Sequence, residues 1–191
     1  LAMGSVGRYT GGPAKAAVVA SALQGTVSGS SVANTVGTGS ITIPLMIKSG
    51  YKPEFAGAVE AAASTGGQLM PPVMGAAAFI MTEYVGVSYT TVALSAAVPA
   101  VLYFTGIFTN VHFEAKKNGL VGLSKDELPK LGALIKRGWY MVAPIIVIFY
   151  MLVAGFTAMR AGLFGIFSCL VIWVVEIIRE NHKFNVKEFI K

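Results

Sequence analysis

Two clusters of small polar residues and one isolated carboxylate are where this 191-residue chain has the means to do chemistry. The first cluster is Ser28-Gly29-Ser30-Ser31 with Asn34 just beyond it, and the second is Gly66-Gly67-Gln68-Leu69-Met70-Pro71-Pro72. Each interrupts an apolar stretch. At such a break carbonyl oxygens lose their helical partners and become ligands for a hard monovalent cation. The amino ends of the half-helices carry partial positive charge and can face a substrate carboxylate. Ser28, Ser30, Ser31, Asn34 and Thr65 add side-chain oxygens, and Gly29, Gly66 and Gly67 allow unusual backbone angles and close approach. The carboxylate is Glu60, about 10 Å along its half-helix at a rise of 1.5 Å per residue. At that depth an ionised carboxylate needs a partner or a water-filled pocket, which makes Glu60 a candidate proton carrier. The alternative is a tilted helix in which Glu60 bonds a neighbouring helix or snorkels to the interface.

The elements that must position these groups are membrane-length helices. The chain is 54% apolar and only 13% charged, in blocks long enough to cross a hydrocarbon layer, which argues against a soluble globule. A small-residue stretch over 14–26 is about half a membrane crossing, stops at the serine cluster, and is followed by a second over 32–48 containing Pro44. Two half-helices back to back predict a re-entrant hairpin over 14–48. The next stretch, 53–84, is broken near its centre by consecutive prolines, which remove two amide donors and push Met70 away from helical geometry. It predicts two helices joined by an unwound link. An ordinary span follows over 89–113, with Pro99 as a kink. Residues 114–138 predict an interfacial amphipathic arm whose Ser124-Lys125-Asp126-Glu127 resembles a capped helix start. Two further spans, 139–159 and 161–178, are joined by a short turn at Arg160. Trp139, Tyr140 and Trp173 fit interfacial anchoring, although Trp173 can equally pack on a neighbouring helix.

Charge distribution orients these spans. If the first hairpin enters and leaves on one side, every Lys and Arg except Arg160 shares one face, which the positive-inside rule makes cytoplasmic. The net charge of +6 therefore reports orientation rather than a nucleic-acid partner. The single cysteine, Cys169, rules out an intrachain disulfide and a thiolate metal cluster. The chain opens at Leu1 with Gly- and Ala-rich sequence already underway and no signal-peptide pattern, which suggests a start inside a larger protein. Enzyme chemistry is not expected. Gly25-Thr26-Val27-Ser28-Gly29 has one residue too many for a nucleophile elbow, no histidine falls at mid-membrane, and no phosphate-binding loop is present. Glu83 and Glu176 lie near helix ends and are expected to be solvated, and His112 and His182 have no partner that suggests a metal or a dyad. Gly, Ser and Ala also let membrane helices pack closely, so each serine alone reads equally as packing. Two breaks together at half-depth favour a binding site.

The run GGPAKAAVVASALQGTVSGSSVANTVGTGSITIPLMIKSGYKPEFAGAVEAAASTGGQLMPPVMGAAAFIM resembles the large membrane subunit of tripartite ATP-independent periplasmic (TRAP) transporters. It looks most like the fused permease of the subgroup that works with a TAXI-type periplasmic binding protein, with the serine-rich tip and the GG-x-x-x-PP break as recognisable elements. The resemblance implies an all-α, polytopic elevator importer of the bacterial or archaeal cytoplasmic membrane, of which this chain is half of an inverted repeat. A periplasmic solute-binding protein delivers a small organic anion, and sodium or a proton drives its import. No cofactor and no metal beyond the coupling cation are expected. Residues 1–113 become part of the transport domain, 114–138 a cytoplasmic arm, and 139–191 two transmembrane helices with a basic tail. Ser28, Gly29, Ser30, Ser31, Asn34, Gly66 and Gly67 are then expected at the cation, and Ser31, Asn34, Gln68, Pro71 and Pro72 at the substrate, with Glu60 kept for proton coupling. No second hairpin is visible, so the other half-site and a fused small membrane subunit are expected outside this sequence. Two competing readings are a binding-protein-independent anion and sodium symporter of the same superfamily, and a structural subunit in which the small residues only pack helices.

Overall fold

Gly11, left-handed at φ 69°, turns the chain after the short helix α1 (Ala2–Val6), and Pro13 then sits in the first turn of α2 (Gly12–Ser28), where its missing N–H costs nothing. The computed structural model describes residues 2–123, 132 and 138–180. α2 ends at Gly29, again left-handed at φ 60°, with the Gly29 N–H bonded to the carbonyl of Gly25. One extended residue, Ser30, follows, and its hydroxyl accepts from the Ala33 N–H at 3.3 Å to cap α3 (Ser31–Lys48). The two predicted half-helices are therefore one helical hairpin with a two-residue tip. Pro44 lies inside α3 without ending it.

Pro53 opens α4 (Pro53–Gly67), and the expected interruption of this stretch is present: residues 68–75 are not α-helical, and α5 (Ala76–Val85) follows. The break is wider than the proline pair alone. Pro71 and Pro72 are joined by a cis peptide bond, and Met74 is left-handed at φ 62°. A Ser88 cap starts α6 (Tyr89–Lys117), which passes through Pro99 and runs beyond the span expected to stop at residue 113. Lys116 and Lys117 occupy its last turn, where the helix dipole favours basic side chains, so the charges extend the helix.

The core of this unit, Leu1–Arg137, is made of small side chains that let helices approach. Ala14, Ala17 and Val18 of α2 cluster with Met46 of α3, Ala56, Val59 and Ala63 of α4, and Val111 and Ala115 of α6. The opposite side of α6 exposes Leu94, Val98, Val101 and Leu102. Tyr51, between α3 and α4, is buried and stacks on Phe55 at 5.6 Å.

The second unit, Gly138–Lys191, holds a 3-10 turn (Trp139–Val142), α7 (Ala143–Val153) and α8 (Ala158–Glu180). The turn between the helices falls at 154–157 and not at Arg160. Gly155 adopts φ 86° and allows the reversal, whereas Arg160 lies within the first turn of α8. Gly165 of α8 meets Ile148 of α7 closely enough that a Cβ there would lie 2.7 Å from Ile148 Cδ1. Glu176, expected to be solvated, is half-buried and accepts from the Tyr140 hydroxyl at 2.8 Å. Among the described residues, α6 and residues 158–177 of α8 are long and apolar enough to cross a membrane. The described residues are all helix, turn and irregular chain, with no strand. Most of the arm expected over 114–138, the Trp139 side chain and the tail at 181–191 lie outside the described residues.

Candidate functional site

Asn34, Thr38 and Thr42 recur every four residues along α3 and so lie on one face of it. Glu60 and Ser64 repeat the spacing on α4, and Ser21 and Gly25 on α2. These three stripes meet. Glu60 is completely buried, and four hydroxyls surround its carboxylate. Ser21 Oγ and Thr38 Oγ1 each lie 2.5 Å from Oε1, Thr42 Oγ1 lies 2.5 Å from Oε2, and Ser64 Oγ lies 3.1 Å from Oε1. Gly39 makes room for the side chain, since a Cβ there would stand 3.1 Å from Glu60 Cγ. Glu60 therefore bonds neighbouring helices and does not snorkel. No basic side chain among the described residues pairs with it.

The cage is tied to the hairpin tip through Asn34. Its Nδ2 donates to the Ser21 carbonyl at 2.8 Å, while its Oδ1 is buried with no hydrogen-bond partner. Such an atom carries a desolvation penalty unless a further donor or cation reaches it.

The tip and the break, separated in sequence, are brought together. The Val73 N–H donates to the Thr26 carbonyl at 3.1 Å, and a Cβ on Gly75 would stand 3.3 Å from the Gly29 carbonyl oxygen. Tyr89 of α6 directs its hydroxyl at the carbonyls of Pro72 and Val73, the latter at 2.9 Å. Gly29 and Ser30 form the tip, Ser31 is half-buried beside it, and Ser28 is exposed. The Thr65 hydroxyl is turned back onto the Ala61 carbonyl at 2.8 Å. Gly66 and Gly67 are buried in helix contacts: a Cβ on Gly67 would lie 2.6 Å from Gly25 Cα, and one on Gly66 would lie 2.6 Å from Tyr103 Cδ1. Both glycines thus serve close packing in this arrangement. Gln68 lines a largely apolar groove of about 480 Å³ with Leu69, Met74, Thr91, Ser95 and Pro99 among its walls. Pro71 and Pro72 are half-buried in the break itself.

Sequence reasoning found Glu60 but missed the hydroxyls that hold it. The four-residue spacing on three consecutive helices was the signal that could have found them. It also left His112 without a partner. The Lys15 Nζ lies 3.1 Å from His112 Nδ1 and 5.0 Å from the centre of the Phe108 ring, so this lysine is buried and engaged within the unit.

Comparison with known proteins adds a family. The model for "Tripartite ATP-independent periplasmic transporter, DctM component" matches residues 1–191. A C4-dicarboxylate TRAP transporter large permease protein from Vibrio cholerae is 36% identical over 122 residues, covering 62% of this chain and 26% of that protein. Its counterpart in Pseudomonas aeruginosa is 29% identical over 161 residues, covering 82% of this chain and 36% of that one. A sialic acid TRAP transporter large permease protein from Vibrio cholerae is 27% identical over 191 residues, or 92% of this chain and 44% of the relative. The chain thus spans between about a quarter and less than half the length of these relatives.

Proposed function

The chain belongs to the DctM component family of tripartite ATP-independent periplasmic transporters, membrane permeases, and from that premise we propose that it is the hairpin-bearing part of a secondary importer of small organic anions. The observation that carries this reading is the docking of the α2–α3 tip onto the α4–α5 break, joined by the Val73 to Thr26 bond. Lipid offers no hydrogen bonds, so unwound backbone survives at membrane depth only where protein or a cavity covers it. Two such segments in contact form the mid-membrane site of a transporter, with α2 and α3 as a re-entrant hairpin and α4–α5 as a discontinuous crossing. Ser31, Asn34, Gln68, Pro71 and Pro72 face the substrate in this reading. Its carboxylate draws on the positive amino end of α3, which begins at the tip. The family relatives named for C4-dicarboxylates and sialic acid support an acid as the cargo.

The coupling ion is sodium at Ser28, Gly29, Ser30, Ser31, Asn34, Gly66 and Gly67, or a proton at Glu60. The burial of Gly66 and Gly67 in helix contacts weakens the first set, and the hydroxyl cage strengthens the second. A TAXI-type periplasmic binding protein delivers the substrate, a fused small membrane subunit and the second half of the permease complete the assembly, and the whole resides in the bacterial or archaeal cytoplasmic membrane as an elevator. These are features of the complete protein, of which this chain supplies one part.

The test is uptake of radiolabelled succinate and sialic acid into proteoliposomes holding the complete permease, with binding protein outside. Accumulation that requires the binding protein and that weakens when Ser31→Ala and Gln68→Ala are combined supports the reading. Uptake indifferent to the binding protein and to both substitutions sinks it and returns the chain to the binding-protein-independent symporter.

A further inference from the structure

We propose that Tyr89 is a positioning residue for transport: from the first turn of α6 its hydroxyl holds the α4–α5 break at the place where the hairpin tip docks, and so sets the affinity for substrate. The proposal rests on the permease reading above and adds to it a residue outside the set assigned to the substrate.

The backbone of the break carries the first step. Pro71 and Pro72 have no N–H, so the carbonyls of Gly67 and Gln68 lose the donors that a continuous helix would give them. Both are recovered nearby, Gly67 by the Met70 N–H at 3.2 Å and Gln68 by the Gly75 N–H at 2.9 Å. The carbonyls of Pro72 and Val73 are not recovered this way. Among the described residues the donor that reaches them is the Tyr89 hydroxyl, which lies 2.9 Å from the Val73 oxygen. Lipid supplies no substitute donor, so an exposed carbonyl here is costly and the hydroxyl is needed where it stands.

The second step is what else holds the break. Val73 is engaged from two sides: its N–H donates to the Thr26 carbonyl of α2 at 3.1 Å, and its own carbonyl accepts from Tyr89 of α6. Among the described residues, the hydrogen bonds that tie 68–75 to elements other than α4 and α5 are this one to Thr26 and those from Tyr89. Two residues on, Gly75 lies against the tip, where a Cβ would stand 3.3 Å from the Gly29 carbonyl oxygen and 3.4 Å from Gln68 Cβ. Removing the hydroxyl therefore leaves Pro72 and Val73 unsupported on the α6 side. Ser31, Gln68, Pro71 and Pro72 lie on the two segments whose register this support maintains.

The third step separates the hydroxyl from the ring. The Tyr89 ring stacks on Phe79 of α5 at 5.1 Å and 14°, and it packs against Met74, Ala78 and Ala93. A phenylalanine makes the same contacts. The packing of α5 on α6 thus has no use for the oxygen, and the oxygen serves the break.

The test compares Tyr89→Phe with Tyr84→Phe in the complete permease in lipid vesicles, Tyr84 being a tyrosine of α5 that is 87% exposed. The first readout is amide hydrogen exchange, which needs no substrate. In Tyr89→Phe the segment 70–75 is expected to exchange about 3–10 times faster, the equivalent of one neutral hydrogen bond, with α2 and α3 unaltered. The second is binding-protein-dependent uptake of succinate or sialic acid, whichever the wild type accumulates. Its apparent KM should rise by a similar factor while the maximal rate is kept, and Tyr84→Phe should change neither readout. Exchange at 70–75 that is unaltered by Tyr89→Phe, or raised equally throughout α2 to α6, overturns the proposal. Faster exchange with an unchanged KM overturns the part played in substrate affinity. Wild-type uptake indifferent to the binding protein sinks the permease reading instead, and the exchange at 70–75 then still decides whether Tyr89 holds the break.

Discussion

Placing a single methyl group on Gly67 tests whether the contact between α2 and α4 holds the hairpin on its support. In Gly67→Ala the new Cβ would stand 2.6 Å from Gly25 Cα, 3.4 Å from Gly25 C and 3.5 Å from the Ser21 carbonyl oxygen. All three are backbone atoms, so no rotamer change can relieve the contact. Carbon atoms rest at about 3.5–4.0 Å, so α2 and α4 must separate by about 1 Å. Overpacking of this kind costs about 1–3 kcal/mol. The separation also stretches the 2.5 Å bond from Ser21 Oγ to Glu60 to the edge of hydrogen-bond range. With a hydrogen bond to a charged group contributing about 1.5–3 kcal/mol, the expected total is about 2.5–6 kcal/mol. Gly57→Ala is the control, because a Cβ there meets nothing within 4 Å, and in a helix it should stabilise by about 0.5–1 kcal/mol. The assay is reversible unfolding of the complete permease in mixed micelles. Equal stability of the two alanine variants would refute the claim that backbone contact at Gly25 and Gly67 sets the position of the hairpin.

Other outcomes follow from single side chains. Burial first, and the Glu114 carboxylate second, push the Tyr51 phenol up to about 12 from its ordinary 10.0. The fold prefers the neutral phenol, so its contribution is intact below 10.0 and is lost as pH rises through about 12; tyrosinate absorbance and melting temperature across that window should change together, and Tyr51→Phe should reduce both changes. Because the Tyr51 hydroxyl has no partner, the same variant should be nearly neutral at pH 7, within about 0.5 kcal/mol. His112→Ala leaves the buried Lys15 ammonium with only the Phe108 face and should cost about 1–3 kcal/mol in micelle unfolding, with Lys15→Met in the same background recovering part of it. Ser30→Ala removes the cap of α3 at about 0.5–2 kcal/mol, and Ser30→Asp should restore it, both read by the same unfolding assay.

The helical breaks were legible because proline and glycine act through the local backbone. The prolines at 71 and 72 remove two consecutive amide donors and Gly29 takes a left-handed φ, whereas the single prolines at 44 and 99 are absorbed within α3 and α6, and the hairpin and the 68–75 link lie where the sequence puts them. The reversal falls at 154–157 and not at Arg160 because Gly155 takes the left-handed φ that a turn needs, whereas Arg160 fits in the first turn of α8. Glu60 stood out by being a carboxylate deep in an apolar stretch, but its partners did not. Ser21, Thr38, Thr42 and Ser64 are ordinary residues in a small-residue helix, and only the packing of three helices gives them a common target. Lys15 read as an interfacial charge because its partners, Phe108 and His112, are about ninety residues away on α6. The glycines at 66 and 67 read as backbone ligands, and what the packing adds is that Gly25 and Tyr103 already fill the space beside them.

Hydroxyls and a basic side chain would make very different supports for Glu60. An arginine at the same place would hold the carboxylate ionised and make protonation expensive, since neutralising one partner strands the other in a medium of low dielectric. Hydroxyls carry no charge and both donate and accept, so the loss of the carboxylate charge strands nothing. They also come from three helices, α2, α3 and α4, which makes the carboxylate the point at which the hairpin is fastened to the broken helix.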